Sequence, residues 1–341
     1  MEEKTIKVVQ VRVPARSPVV GGVEAGVTVP AEWHYCALDD VDGIRNALID
    51  ADVFISPVLT RGMSNGAKKL GLLSTVGAGY DKIDPAALPK ECIVVNCYEH
   101  GPAISEYVFA TVSCFQRRLF ESNELLKKND WSMWLRNAPL TPGLDGKTLG
   151  IVGYGHLGEH LARIGQAYGM RPIAVTRTPD RGGGDRRVYL DQLGGMDHLP
   201  ALLSQADLLV LCVPLTPETR NLIGDRELAL MKQAAILVNP SRGPVVDQHS
   251  LYSALREERI AGAILDVWWH YPDSSNPSPA PADVPFSELS NVIMTPHIAA
   301  GTVETFRRRA AVIASNIDRF ARGESPINRV NLAPPRISAE E

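Results

Sequence analysis

The stretch TLGIVGYGHLGEHLARIGQAYGM, residues 148–170, limits the fold more than any other part of the chain. A short apolar run leads straight into Gly153, Gly155 and Gly158, and a segment of helical period follows at once. Strand, tight turn and helix in that order are the setting in which a GxGxxG pattern binds a dinucleotide. The first glycine admits the turn, the second lets the backbone approach a pyrophosphate, and the third lets the helix pack on the strand. The phosphate then sits at the positive end of the helix. Tyr154, His156 and Leu157 fill the intervening positions and belong to the same cofactor-facing loop. Two other readings stay open: glycines that serve only the turn, and the glycine-rich first loop of a methyltransferase that uses an adenosyl cofactor.

The rest of the chain repeats this rhythm. RPIAVT, ADLLVLCVP, AAILVNPSRG, AGAILDVWW and NVIMTPH are further apolar runs with helical segments in most gaps, so residues 104–297 are expected to form a doubly wound parallel-sheet domain. TIKVVQVRV, DVFISP, LGLLSTVG and CIVVNC make a second βαβ set within the first hundred residues. From Ile104 to about Lys128 one long helix is expected to join the two. The segment after His297 holds one more helix, TVETFRRRAAVIASNIDRFARG, too little for a domain of its own. It is expected to return to the first set, which makes that domain discontinuous, 1–103 plus 298–341. PDSSNPSPAPADVP, 272–285, reads as a loop.

Bulk properties exclude several classes. With 341 residues, 45% of them hydrophobic and 22% charged, the chain is long enough for two packed domains. A net charge of -4 offers no basic surplus for a phosphate backbone, so no nucleic-acid partner is expected. Arg307, Arg308 and Arg309 read as one turn of a solvated helix. No run approaches 18 apolar residues and MEEKTIKVVQ lacks a secretory pattern, so no membrane partner is expected and the location is expected to be cytoplasmic. Five cysteines, none spaced as CxxC, fit reduced core residues better than a disulfide framework or a zinc cage. No metal is expected.

An acidic residue normally ends the strand after the glycine turn and binds the ribose. Here the strand ends in Thr176, Arg177 and Thr178. A guanidinium between two hydroxyls suits a 2′-phosphate, so NADP is preferred and NAD stays possible. The competing reading is a solvated Arg177 that tolerates either cofactor, with Asp180 reaching the ribose. Three other strand ends carry polar residues that a core does not select: Arg242 after AAILV, Asp266 after AIL, and His297 after VIMTP. The carboxyl ends of parallel strands form the ligand crevice of such sheets, so these three are expected to converge. Singly, each also has a bland role as ion pair, cap or hinge residue.

VGAGYDKID, ISEYVFA, GKTLGIVGYGHLG, ADLLVLCVPLTPETRNLI, ILVNPSRGPVVD, AGAILDVW and VIMTPHIAAGT follow one another from about residue 50 to 320. In these stretches the chain resembles the D-isomer-specific 2-hydroxyacid dehydrogenase family, and within it the glyoxylate/hydroxypyruvate reductases. The resemblance implies a Rossmann nucleotide domain inserted into a flavodoxin-like substrate domain, and interconversion of a 2-keto acid and a D-2-hydroxy acid by hydride transfer. It implies that Arg242 holds the substrate and that His297 exchanges a proton with the 2-oxygen. Asp266 then orients the nicotinamide, while Val213, Pro214, Thr219, Asn239 and Ser241 line the cofactor. Amides of Val76, Gly77, Ala78 and Gly79 bind the substrate carboxylate. The chemistry agrees: reduction of a keto acid needs a cation on the carbonyl and carboxylate and a titratable acid.

One position departs from the family. Where it carries a glutamate beside the catalytic histidine, DVWWHYP places Tyr271. A carboxylate favours imidazolium, whereas a neutral hydroxyl only hydrogen-bonds, so ketone reduction is expected to favour a more acidic pH than in relatives with the glutamate. Tyr271 has three open roles: orienting His297, lining a substrate pocket with Trp268, Trp269 and His270 while another acid such as Asp273 serves the histidine, or marking lost catalysis. Trp268 reads as packing. WSMWLRNAP, 131–139, resembles a dimerisation segment, against which stands intrachain packing of Trp131 and Trp134; a homodimer is the family expectation. The functional alternative to an enzyme is a nucleotide-sensing interaction protein of the corepressor type, which shares this fold.

Overall fold

The computed structural model describes residues 5–12, 22–179 and 187–332. They divide into two compact units, one formed by Met1–His100 with Gly301–Glu341, the other by Gly101–Ala300. Each is a parallel α/β unit.

The first holds a five-stranded sheet of β1 (Ile6–Arg12), β2 (Ala31–Ala37), β3 (Val53–Ile55), β4 (Leu72–Ser74) and β5 (Ile93–Val95), in the order β2-β1-β3-β4-β5. Every pairing is parallel, and the order is the flavodoxin-like one. Parallel strands must be covered on both faces, which explains why these runs are apolar rather than alternating. On one face Ile44, Leu48, Phe54 and Leu73 are buried together. On the other, helix Val303–Ala321 lays Ala310, Ile313, Ala314 and Ile317 against Val8, Ile55 and Val95. That helix starts at Thr302, whose hydroxyl caps the Thr305 amide. Near its end Asp318 is 7% exposed and accepts from the Thr28 hydroxyl and amide and from the Val29 amide. The late segment thus closes the early sheet.

The second unit holds seven parallel strands: β6 (Thr148–Val152), β7 (Arg171–Val175), β8 (Gln192–Gly194), β9 (Leu208–Leu211), β10 (Ile236–Asn239), β11 (Gly262–Leu265) and β12 (Val292–Met294). Their order, β12-β11-β10-β9-β6-β7-β8, reverses direction between β6 and β9. That is the Rossmann order with one strand added, and its crevice opens at the carboxyl ends. Helix Gly101–Gln116 buries Val108, Phe109 and Val112 in the same cluster as Leu149 and Leu161. The single helix expected over 104–128 is in fact two. Arg118 takes a left-handed φ of 49°, and a second helix runs over Leu119–Lys127. Residues 272–285 form neither helix nor strand, as expected.

The five cysteines are free. Burial pushes the Cys92 and Cys97 thiols up to about 12 and raises Cys212 as well, so these three stay protonated at neutral pH.

Candidate active site

Six loops at the carboxyl ends of β6, β7, β9, β10, β11 and β12 carry the residues singled out in the second unit. Gly153 follows β6 with φ of 97°, and a Cβ there would meet Val213 and the Cys212 backbone at 2.8–2.9 Å. Only glycine fits that turn. Gly155 caps helix His156–Ala167 with no side-chain hydrogen bond, and a Cβ on it would meet nothing within 4 Å. A first helical turn without a side-chain cap, beside open space, fits an anionic pyrophosphate. Tyr154 is buried and Leu157 packs partly on the core, so this turn presents backbone. After β7, Arg177 and Thr178 are exposed and Thr176 is half-buried. Asp180 lies outside the described residues.

The turn after β10 is built by Asn239. Its amide donates to the Arg242 carbonyl at 2.8 Å and accepts from the Ser241 hydroxyl and amide at 2.8 and 3.1 Å. Asn239 was expected to line the cofactor; fully buried, it spends its side chain on shaping the Ser241–Arg242 turn. Thr219 likewise ties its own loop, donating to the Pro214 carbonyl at 2.6 Å. Arg242 is half-buried, with Nη1 on the Ser241 carbonyl at 2.8 Å. Next to it Gly243 meets Trp268 so closely that a Cβ would stand 2.5 Å from the Trp268 carbonyl.

Trp268 leads to the histidine. Its amide donates to the Tyr271 hydroxyl at 3.2 Å, and that hydroxyl lies 3.0 Å from Nδ1 of His297. The rings meet at 5.6 Å and are tilted by 51°. His297 has φ of 60°, a left-handed conformation that costs a side-chain-bearing residue about 1–2 kcal/mol. Asp266 holds the loop in that shape. It is 1% exposed and accepts from the Thr295 hydroxyl at 2.6 Å and from the Ile298 and Ala299 amides at 2.8 Å each. The Tyr107 hydroxyl bonds Thr295 at 2.6 Å, and burial pushes its pKa up to about 12, so it stays a neutral phenol. Trp268 Nε1 adds a bond to the Thr295 carbonyl at 2.9 Å. β10, β11 and β12 are neighbours, so Arg242 and His297 leave strands about 10 Å apart at one edge.

Two expectations about the aromatic cluster are corrected. Trp269 does not line a pocket: its indole donates to the Val246 carbonyl at 3.1 Å and stacks on Phe286 at 5.6 Å. His270 is exposed and pairs with Asp283 at 2.8 Å. An indole with one face stacked and its N–H bonded is anchored to the core it packs on, here while half-buried. Thr295 and Tyr107 were not singled out from the sequence. Their signal lay in plain view: a threonine directly before Pro-His, and the one hydroxyl-bearing ring in ISEYVFA.

In the first unit, the loop after β4 turns its carbonyls inward. The Gly77 carbonyl accepts from the Cys97 amide at 3.1 Å and the Thr75 hydroxyl at 2.7 Å, and the Ala78 carbonyl accepts from Asn96 at 2.9 Å. Among the described residues the amides of Val76, Gly77, Ala78 and Gly79 donate to nothing in the chain. Successive unbonded amides make an anion-binding concavity. The described residues hold no group of three or more metal-ligating side chains, and no helix long and apolar enough to cross a membrane.

Residues 109–299 match the sequence profile "D-isomer specific 2-hydroxyacid dehydrogenase, NAD binding domain". The chain is 36% identical over 303 residues to a glyoxylate reductase of Korarchaeum cryptofilum, covering 86% of this chain and 83% of that one. It is 35% identical over 298 residues to a D-3-phosphoglycerate dehydrogenase of Methanocaldococcus jannaschii, covering 86% of this chain and 53% of the relative. Among solved structures, an acyclic imino acid reductase, Bsp5, in complex with NADPH and D-Arg superposes with a TM-score of 0.79 at 25% identity over 96% of this chain and 100% of the other. The TT0316 protein of Thermus thermophilus does so at 0.75 and 28%, over 96% and 100%.

Proposed function

Because this chain belongs to the D-isomer specific 2-hydroxyacid dehydrogenase family, we propose that it reduces a 2-keto acid to a D-2-hydroxy acid, with His297 as acid and base and Arg242 as the substrate clamp. The coarser activity, nicotinamide-dependent oxidoreduction between 2-keto and 2-hydroxy acids, comes with the family. The finer reading is carried by one observation, the Tyr271 hydroxyl at 3.0 Å from Nδ1 of His297.

The helix His156–Ala167 and its glycine turn hold the pyrophosphate, and Thr176, Arg177 and Thr178 hold the adenosine end. An exposed guanidinium there supports NADPH over NADH. A neighbour solved with NADPH supports it too. The bound cofactor supplies the hydride. Arg242 polarises the carbonyl and fixes the carboxylate. Imidazolium at His297 gives its Nε2 proton to the 2-oxygen, while its Nδ1–H donates to the Tyr271 oxygen. That oxygen has two lone pairs, one for the Trp268 amide and one for Nδ1. Oxidation runs the same proton backwards. Phe120, Trp131, Trp134, Leu135 and Leu140 are all exposed in one segment, which supports a homodimer built on it over intrachain packing.

The test is direct. Purified protein with NADPH or NADH should lose nicotinamide absorbance when given glyoxylate, hydroxypyruvate or larger 2-keto acids. His297→Gln and Arg242→Ala should each lose at least about 100-fold in kcat/KM. No cofactor oxidation with any acid over pH 5.5–8 overturns the reading.

A further inference from the structure

Of the three adjacent arginines, Arg307 and Arg308 are solvated as expected, and Arg309 is not. It is half-buried, and its Nε is enclosed with no acceptor. Among the described residues it makes no hydrogen bond and no ion pair; its Cζ lies 5.5 Å from the centre of the Phe306 ring. Its Cζ, Nη1 and Nη2 lie 3.8–3.9 Å from where a Cβ on Gly77 would stand. The cation therefore lies against the loop whose four amides donate to nothing. Burial lowers its proton affinity, opposed by Cys97 and Glu99, but a guanidinium stays charged at neutral pH. A partly buried guanidinium with no hydrogen-bonded acceptor is costly, and a chain that keeps one at a candidate site points to an anion that binds there.

We propose that Arg309 binds a second carboxylate on the substrate, so that 2-keto dicarboxylic acids are the preferred substrate class. This rests on the reductase reading above and deepens it. The reasoning is a count of charges. The carboxylate common to every 2-keto acid already has the four unbonded amides of residues 76–79. A substrate with no further charge leaves Arg309 without a partner; a second carboxylate gives it two oxygens, which match its planar fork. A phosphate dianion calls for more cations than this, and Glu99 already offsets part of the single charge present.

Full-length protein is assayed with 2-ketoglutarate and with 2-ketovalerate, which share a carbon chain and differ in the second carboxylate. The wild type should favour 2-ketoglutarate by at least about 10-fold in kcat/KM, and Arg309→Met should lower that ratio about 10- to 100-fold, with Arg309→Lys between them. An equal loss on both acids assigns Arg309 to the shared carboxylate and overturns the proposal, as does an unchanged ratio. Preference for phosphohydroxypyruvate over both acids overturns the carboxylate class. Calorimetric titration of glutarate and valerate decides the matter without turnover: glutarate should bind more tightly to the wild type, and Arg309→Met should remove the difference. Equal binding of the two by the wild type overturns the proposal and leaves the reductase reading standing. Absence of cofactor oxidation with every acid overturns that reading, while glutarate binding still judges Arg309.

Discussion

Exchanging a carboxylate for a phenol beside a histidine keeps a hydrogen bond and removes a charge. At Tyr271 the bond is present, and its loss in Tyr271→Phe should lower kcat about 10- to 100-fold while leaving cofactor affinity in place, measured by steady-state kinetics and NADPH titration. Tyr271→Glu restores the charge. A carboxylate there favours imidazolium, so the proton-donating form should persist to higher pH and the alkaline limb of the reduction profile should move up; an unmoved limb refutes the tuning role. Asp266 acts one step further back, through the amides of Ile298 and Ala299. Asp266→Asn turns one acceptor into a donor facing an amide. It should lower kcat far more than it raises KM, and Tm should fall with it, because the left-handed His297 loses the contacts that hold it. At the cofactor's other end, Arg177→Ala should weaken NADPH by about 10-fold or more and NADH little, read from the two dissociation constants. Equal weakening removes the argument for a phosphate fork.

At the scale of elements, the sheet order follows from apolar runs that alternate with helical periods, because both faces of a parallel strand must be buried. Hence the glycine turn, the strand-end positions of Arg242, Asp266 and His297, and the return of the last helix to the first sheet could be read before any coordinates. What could not be read was set by contacts distant in sequence. Trp269 looks the same in the chain whether it faces a crevice or Phe286. Arg309 looks like its neighbours until the helix turns it toward Gly77. That Asn239 shapes its own turn and Asp266 its loop could not be read, because sequence shows a polar side chain at a strand end and not what it bonds. Arg118 carries nothing that announces a left-handed break. Asp318 shows the same dependence in energetic terms. Burial alone would raise its pKa, but the Thr28 hydroxyl and the Thr28 and Val29 amides outweigh this and hold it below the ordinary carboxylate value. Its stabilisation is therefore complete above the unfolded-state pKa of about 3.9 and is lost as pH falls through the lower folded value. Asp318→Asn should cost about 1–3 kcal/mol at pH 7, and denaturant melts of the two proteins should converge in strong acid.

At the scale of the molecule, six large apolar side chains in the segment 120–140 lie open to solvent, Leu140 at 88% and Leu135 at 78%. Sedimentation should report a dimer, and Trp134→Ser combined with Leu135→Ser should shift it toward a monomer; a monomeric parent removes that surface from consideration. The split of the first unit between Met1–His100 and Gly301–Glu341 bears on how the protein comes into being. Helix Val303–Ala321 completes one face of the first sheet, yet it is synthesised after the whole of Gly101–Ala300. At ~5–20 residues per second, Ile6, Val8 and Val95 wait roughly 10 to 40 s for their cover while Gly101–Ala300 is synthesised. A nascent chain stalled before residue 301 therefore offers chaperones a naked aliphatic surface at its amino-terminal end, while the later-made nucleotide unit can already be shut.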